Sequence, residues 1–294
     1  MRKALIAFAF VASFAAPSLA DHLSDFYIIP AATRTAGSFG TFWGTDMAIH
    51  NFQTTPLTIQ FLFIETGEGK SQNISNLRST ALPDGSLTIP AGGTVLVRDV
   101  LDGFEGRRDG LLGALALSAE QPFAVNSRIY TPGPAGGSYG QSVPPVLGFI
   151  DNSVGDTDNA TAVAYIPGVV NNTPFRTNVG FVAASGSAGM TVTVELRLGD
   201  GTAGGTRTFS IPRDSYVHLQ FSAASIGIAV FETASVRFRI TTGDGAVAPY
   251  VSIVDNITGD AVFAAGTFPR TTTTFKQSLE YSQFRKLILQ KLGR

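Results

Sequence analysis

The chain has 294 residues, a formal net charge of −1, only 15% charged side chains and no cysteine. That balance excludes a basic nucleic-acid binder, a thiolate metal site, a disulfide framework and a lipid-modified N-terminal cysteine. The length suits two domains of ordinary size.

The first twenty residues read as a signal peptide. Met1-Arg2-Lys3 supplies the charged start, residues 4–16 the apolar stretch, and Ser18-Leu19-Ala20 the small-residue cleavage site. The apolar stretch is too short to span a bilayer. Export follows as an expectation, to periplasm, cell surface or medium, and a cysteine-free secreted β-protein fits a bacterial source.

Residues 26–148 read as a first β-sandwich domain. Strand candidates are 45–51, 57–64, 93–100, 113–118 and 123–130. Residues 65–86 are rich in Gly, Ser and Asn and are expected to form a long loop, and residues 131–145 a Gly/Pro-rich one. Between them, Asp102, Glu105, Arg107, Arg108 and Asp109 mix both signs, which points to surface ion pairs.

Residues 149–162 form a polar linker. Asp151, Asp156, Asp158 and Asn159 gather enough oxygen donors for a calcium candidate, but without the ordered spacing and acidic terminator of an EF-hand loop. A solvated linker is the plainer reading, and no cofactor is expected.

Residues 163–269 read as a second sandwich with a cleaner pattern. In 191–198, Val192, Val194, Leu196 and Leu198 alternate with Thr191, Thr193, Glu195 and Arg197. Val217, Leu219 and Phe221 alternate likewise with Tyr216, His218 and Gln220, and Val236, Phe238 and Ile240 with Ser235, Arg237 and Arg239. Side chains alternate across a strand, so each run has an apolar and a polar face, and a second sheet must cover the apolar one. His218 is therefore expected to face solvent.

The two halves share wording. Tyr27-Ile-Ile-Pro30 returns as Tyr165-Ile-Pro167, Trp43 to Ile49 as Phe175 to Phe181, and Ile89-Pro90 as Ile211-Pro212. This predicts one all-β unit written twice. Residues 270–294 change character: a Thr run leads into an amphipathic helix with Tyr281, Phe284, Ile288 and Leu292 on one stripe, suited to docking, a partner or a membrane surface.

Chemistry is sparse. The three histidines (His22, His50 and His218) show no metal-ligand spacing, and neither HExxH nor GxSxG occurs. Most carboxylates sit in turns or on polar strand faces. Trp43, with Phe42 and Tyr139, is a candidate sugar-stacking platform. The matching Phe175 in the second half points instead to core packing. The Asn-X-Ser/Thr sequons, such as Asn73-Ile-Ser75, are read as accidental.

Trp43-Gly-Thr-Asp-Met-Ala-Ile-His-Asn51, Gln121-Pro-Phe-Ala-Val-Asn-Ser-Arg-Ile-Tyr130 and Asp255-Asn-Ile-Thr-Gly-Asp260 resemble tandem β-sandwich regions of exported bacterial proteins. The resemblance implies immunoglobulin-like sandwiches and an envelope or extracellular role, and transfers no functional residue. The expected function is a non-enzymatic binding or structural module with a protein or glycan partner, acting through loops or sheet edges. The rivals are a secreted glycoside hydrolase or carbohydrate-binding protein, and an outer-membrane β-barrel.

Overall fold

The computed structural model describes residues 23–67, 74–133, 136–146, 150–151 and 163–267. The expected signal peptide, the expected C-terminal helix and the calcium candidates Asp156, Asp158 and Asn159 lie outside them. Of Asp151 the backbone alone is described. About 69% of the described residues are strand, and no α-helix occurs among them.

The strands fall into two antiparallel sheets. The N-terminal sheet contains β1 (Ser24–Ala36), β2 (Phe42–His50), β3 (Leu57–Glu65) and β4 (Ile74–Asn76). It continues with β5 (Ser86–Ile89), β6 (Thr94–Val97), β7 (Leu111–Pro132) and β8 (Ser138–Ser142). The C-terminal sheet contains β9 (Ile150–Asp151), β10 (Val163–Asn171), β11 (Phe175–Leu198) and β12 (Ala203–Ile211). It ends with β13 (Tyr216–Ser222), β14 (Phe231–Asp255) and β15 (Ala261–Ala265).

Very long strands make each sheet fold over itself. The first part of β7 pairs with β1 and β3, while its second part pairs with β2 and β8. The first part of β14 pairs with β10 and the second part of β11, and its second part with the first part of β11 and with β15. β6 flanks β2 as β13 flanks β11, and β5 flanks β3 as β12 flanks β11. Many pairings of one sheet thus have a counterpart in the other, while β1–β2, β3–β4 and β9–β14 have none. At the bend of the C-terminal sheet the β11–β14 register breaks between Ser185 and Met190. Gly243 sits there at φ 82°, and a Cβ on it would fall 1.9 Å from the Gly189 carbonyl oxygen, so only glycine fits.

The sequence had separated 113–118 from 123–130, but they are one strand through Gln121-Pro122. It had also assigned 131–145 to a loop, yet β8 lies within it. Both differences arise because pairing partners distant in sequence hold the backbone extended. The mixed-charge segment does form ion pairs: Arg107 grips Glu65 with both terminal nitrogens, at 2.7 and 3.1 Å, and Arg34 bridges Asp99 and Asp102, each at 2.9 Å.

Each sheet encloses an apolar cluster, and the first also takes in Tyr250, Val254 and Ala261 of the C-terminal sheet. Tyr27, Met47, Phe61, Phe63, Leu115 and Phe123 fill the first, and Ile166, Phe181, Val194, Leu219, Phe238 and Val251 the second. The inward residues read from β11, β13 and β14 all fall in the second. These filled interiors are those of sandwiches rather than of a barrel around a polar lumen.

A third apolar cluster lies between the sheets. The outer face of β1, β3 and β7 contributes Phe26, Ile28, Leu62, Ile64, Ala114 and Ala116, and that of β11, β13 and β14 contributes Val182, Ala184, Tyr216, Ala246 and Ala248. The outer face of β13 is therefore covered. His218, expected in solvent, is fully buried.

Candidate functional site

The site grows out of that covered face. On β11 the residues turned away from the second interior are Arg176, Asn178, Gly180, Val182 and Ala184. Tyr216, His218 and Gln220 of β13 lie beside them, and Ala246, Ala248, Tyr250 and Ser252 of β14 on the other side. The face is graded. Its Ala184 end is apolar and packs against the N-terminal sheet, its middle holds His218 and Tyr250, and its Arg176 end is polar.

In the middle, His218 and Tyr250 tie the sheets together. Thr66, just past β3, bonds His218 Nδ1 through its hydroxyl, and the Gly67 N–H donates to the His218 carbonyl at 3.2 Å. On the other side of the ring, His218 Nε2 lies 2.7 Å from the Tyr250 hydroxyl, which donates to Gln220 Oε1 at 3.0 Å. One protonation pattern satisfies every member of this chain: a neutral imidazole with its proton on Nε2 donates to Tyr250 and accepts from Thr66. Burial favours that neutral form and pulls the His218 pKa down to about 3, against a smaller opposing effect of the Pro30 carbonyl. Burial likewise raises the Tyr250 pKa, which keeps the phenol a donor. Gly180 makes room for Tyr250: a Cβ there would sit 2.3 Å from the ring.

Beyond Tyr250 the sheets part and leave a cleft of about 410 Å³. Thr35, Trp43, Ile129 and Gln141 line it from the N-terminal sheet. Arg176, Asn178, Gln220 and Ser252 line it from the C-terminal sheet. Gln141 and Ser252 bond each other across the seam, with the hydroxyl oxygen 2.9 Å from Nε2 and 3.1 Å from Oε1. Because Gln220 Oε1 accepts from Tyr250, its amide NH₂ is left for the cleft.

Arg176 is the one charged residue on the lining. Its Nη1 donates to Asn256 Oδ1 at 2.6 Å, and it pairs with no carboxylate among the described residues. Burial lowers its pKa, and no carboxylate among the described residues acts to raise it.

The candidate platform divides. Trp43 turns inward, 8% exposed, lines the cleft, and donates its indole N–H to Thr41 Oγ1 at 3.0 Å. Phe42, the residue before it, points the other way. It meets Tyr139 in a second hollow of about 370 Å³, where both rings are 37% exposed. Successive side chains of a strand take opposite faces, so Trp43 and Phe42 serve different hollows. Arg34 lies over the Phe42 ring at 5.1 Å. Among the described residues, no three His, Asp or Glu side chains cluster as metal ligands.

The sequence did not single out Arg176, Asn178, Gln220 or Tyr250. One signal was available. The residues facing away from the second interior on β11 include Val182 and Ala184, which a wet face has no reason to carry, and that apolar half pointed to a cover.

No family model matches the chain, and no curated protein matches it. Among solved structures, Thermotoga maritima 1070 is similar over 37% of this chain and 96% of its own, at 12% identity and a TM-score of 0.30. The tandem CBM22 domains of Paenibacillus barcinonensis Xyn10C align over 80% of this chain and 86% of theirs, at 9% identity and a TM-score of 0.19. The C-terminal domain of the Streptococcus pyogenes antigen I/II-family protein AspA aligns over 84% of this chain and 98% of its own, at 12% identity and a TM-score of 0.19. Likeness this slight carries no functional argument to this chain.

Proposed function

We propose that this protein is an exported, non-enzymatic binding module. In this reading two tandem immunoglobulin-like sandwiches are fastened along one seam, and the seam cleft receives a small polar ligand. The observation that carries the reading is the cleft itself. Its volume falls in the range of ligand sites, roughly 300–1,000 Å³, and its walls combine the Trp43 indole with amides and hydroxyls from both sheets. The apolar cluster beside it holds those walls in place before any ligand arrives, which lowers the cost of binding.

The non-enzymatic part is supported by the lining. A glycoside hydrolase needs two carboxylates across its site, and the lining residues include neither Asp nor Glu. His218, the nearest base, is enclosed and fully committed to Thr66 and Tyr250. The export part rests on the signal-peptide pattern of the first twenty residues.

The test uses the only tryptophan in the chain. Trp43 lines the cleft, so its emission reports occupancy directly. A screen of small polar compounds and soluble glycans should yield ligands that change Trp43 fluorescence in the wild type. Thr35→Phe, which fills the cleft from β1, should abolish the response while the circular dichroism spectrum is retained. Ligands that bind Thr35→Phe as well as wild type would refute the cleft as the site. Half-exposed Phe42 and Tyr139 favour a second reading, a stacking surface for a sugar ring. Loss of glycan binding in Phe42→Ala and Tyr139→Ala, but not in Thr35→Phe, would establish it.

A further inference from the structure

We infer that the seam cleft selects a sugar acid, a pyranose ring bearing one carboxylate. This rests on the cleft being the binding site and adds the chemical class of its ligand. Three features of the lining lead there.

The first is the charge. Arg176 is the single charged group in the cleft, and no protein carboxylate neutralises it among the described residues. Its Nη1 is held by Asn256, and its Nη2 and Nε, which share one edge of the guanidinium, have no hydrogen-bond partner among the described residues. Two parallel donors on that edge match the two oxygens of a carboxylate. A phosphate dianion calls for more positive charge than one guanidinium, and this cleft holds no second cation, so a monoanion suits it better.

The second is the excess of uncommitted polar groups. Asn178 stands two residues along β11 from Arg176, on the same face, with no side-chain partner among the described residues. The Gln220 amide presents its NH₂ because Tyr250 occupies its oxygen. Thr35 adds a hydroxyl from the opposite wall. Donors and acceptors at several points around one charge fit a molecule with hydroxyls around one carboxylate.

The third is the apolar wall. Trp43, Ile129 and Val254 line the same cavity. A pyranose ring offers a C–H face to an aromatic and apolar surface while its hydroxyls reach outward, which a flexible dicarboxylate does not do.

The experiment titrates the full-length protein with glucuronate and galacturonate, and with glucose and galactose as neutral partners. Trp43 emission and calorimetry are read together. The acids should bind about tenfold or more tightly than the neutral sugars, the ratio expected when a charge-assisted pair replaces a neutral hydrogen bond. Arg176→Gln should erase that ratio, so that the acids and the neutral sugars bind alike. Asn178→Asp keeps Arg176 and the shape of the site but supplies a competing carboxylate, and it should weaken the acids more than the neutral sugars. Trigalacturonate separates two sources of the same chemistry. Affinity equal to galacturonate assigns a free sugar acid, tighter binding assigns a residue within a polyuronide, and both support the inference.

Equal affinity for acid and neutral sugars, or an acid preference that survives Arg176→Gln, overturns the ligand class and leaves the cleft as a binding site. If no sugar alters Trp43 emission or gives heat, while other ligands of the screen still do so through the cleft, the ligand class alone fails. If nothing at all binds there, both readings fall together.

Discussion

Acidification should loosen this protein through His218, and the size of the effect follows from its burial. In the folded chain the imidazole is enclosed between the sheets with its pKa lowered to about 3, against 6.5 when free. Thr66, Tyr250, Gln220 and the Pro30 carbonyl face it, and no carboxylate or cation contributes to its shift. A depressed folded pKa means the unfolded chain takes up the proton first. The stabilisation is therefore complete above pH 6.5 and is lost as pH falls toward 3. Each pH unit inside that window costs about 1.4 kcal/mol, so moving from pH 7 to pH 5 should cost about 2 kcal/mol. For a chain of this size that is roughly 4–8 °C in Tm. Urea unfolding at pH 7, 6 and 5, followed by Trp43 emission and far-ultraviolet circular dichroism, measures it. His218→Gln lowers stability at every pH, but its loss between pH 7 and 5 should be about 2 kcal/mol smaller than that of the wild type. Parallel losses in the two proteins would refute the assignment of a neutral, enclosed imidazole.

Gly180→Ala places a methyl against the Tyr250 ring and should cost about 1–3 kcal/mol in denaturant unfolding, and Tyr250→Phe should not relieve that cost because the ring stays. Tyr250→Phe by itself strands the His218 Nε2–H and frees the Gln220 amide. It should cost about 1–3 kcal/mol and weaken any cleft ligand that uses Gln220, read by calorimetry. On the far face of the C-terminal sheet, Glu195 is bridged by Arg237 at 2.5 Å and Arg239 at 3.3 Å. Burial works to raise its pKa, but these arginines prevail and hold it below the ordinary glutamate value. Glu195→Gln leaves the arginines facing one another and should lower stability by about 1–2 kcal/mol, less at high salt, in the same unfolding assay.

Much of the architecture was legible before any coordinates. The alternation in 191–198, 216–221 and 235–240 determined which residues fill the second interior, because a strand offers only two faces and the apolar one must be covered. The mixed charges around Arg107 anticipated its pairing with Glu65. Tertiary structure decided the rest. Alternation says that His218, Arg176 and Asn178 point away from the second interior, but it carries no information about what lies on that side. Only the docking of the β1–β3–β7 face onto the β11–β13–β14 face buries His218 against Thr66 and leaves Arg176 in a cleft opposite Trp43. Those partners are separated by a hundred residues and more, and local periodicity records the direction of a side chain without recording its cover.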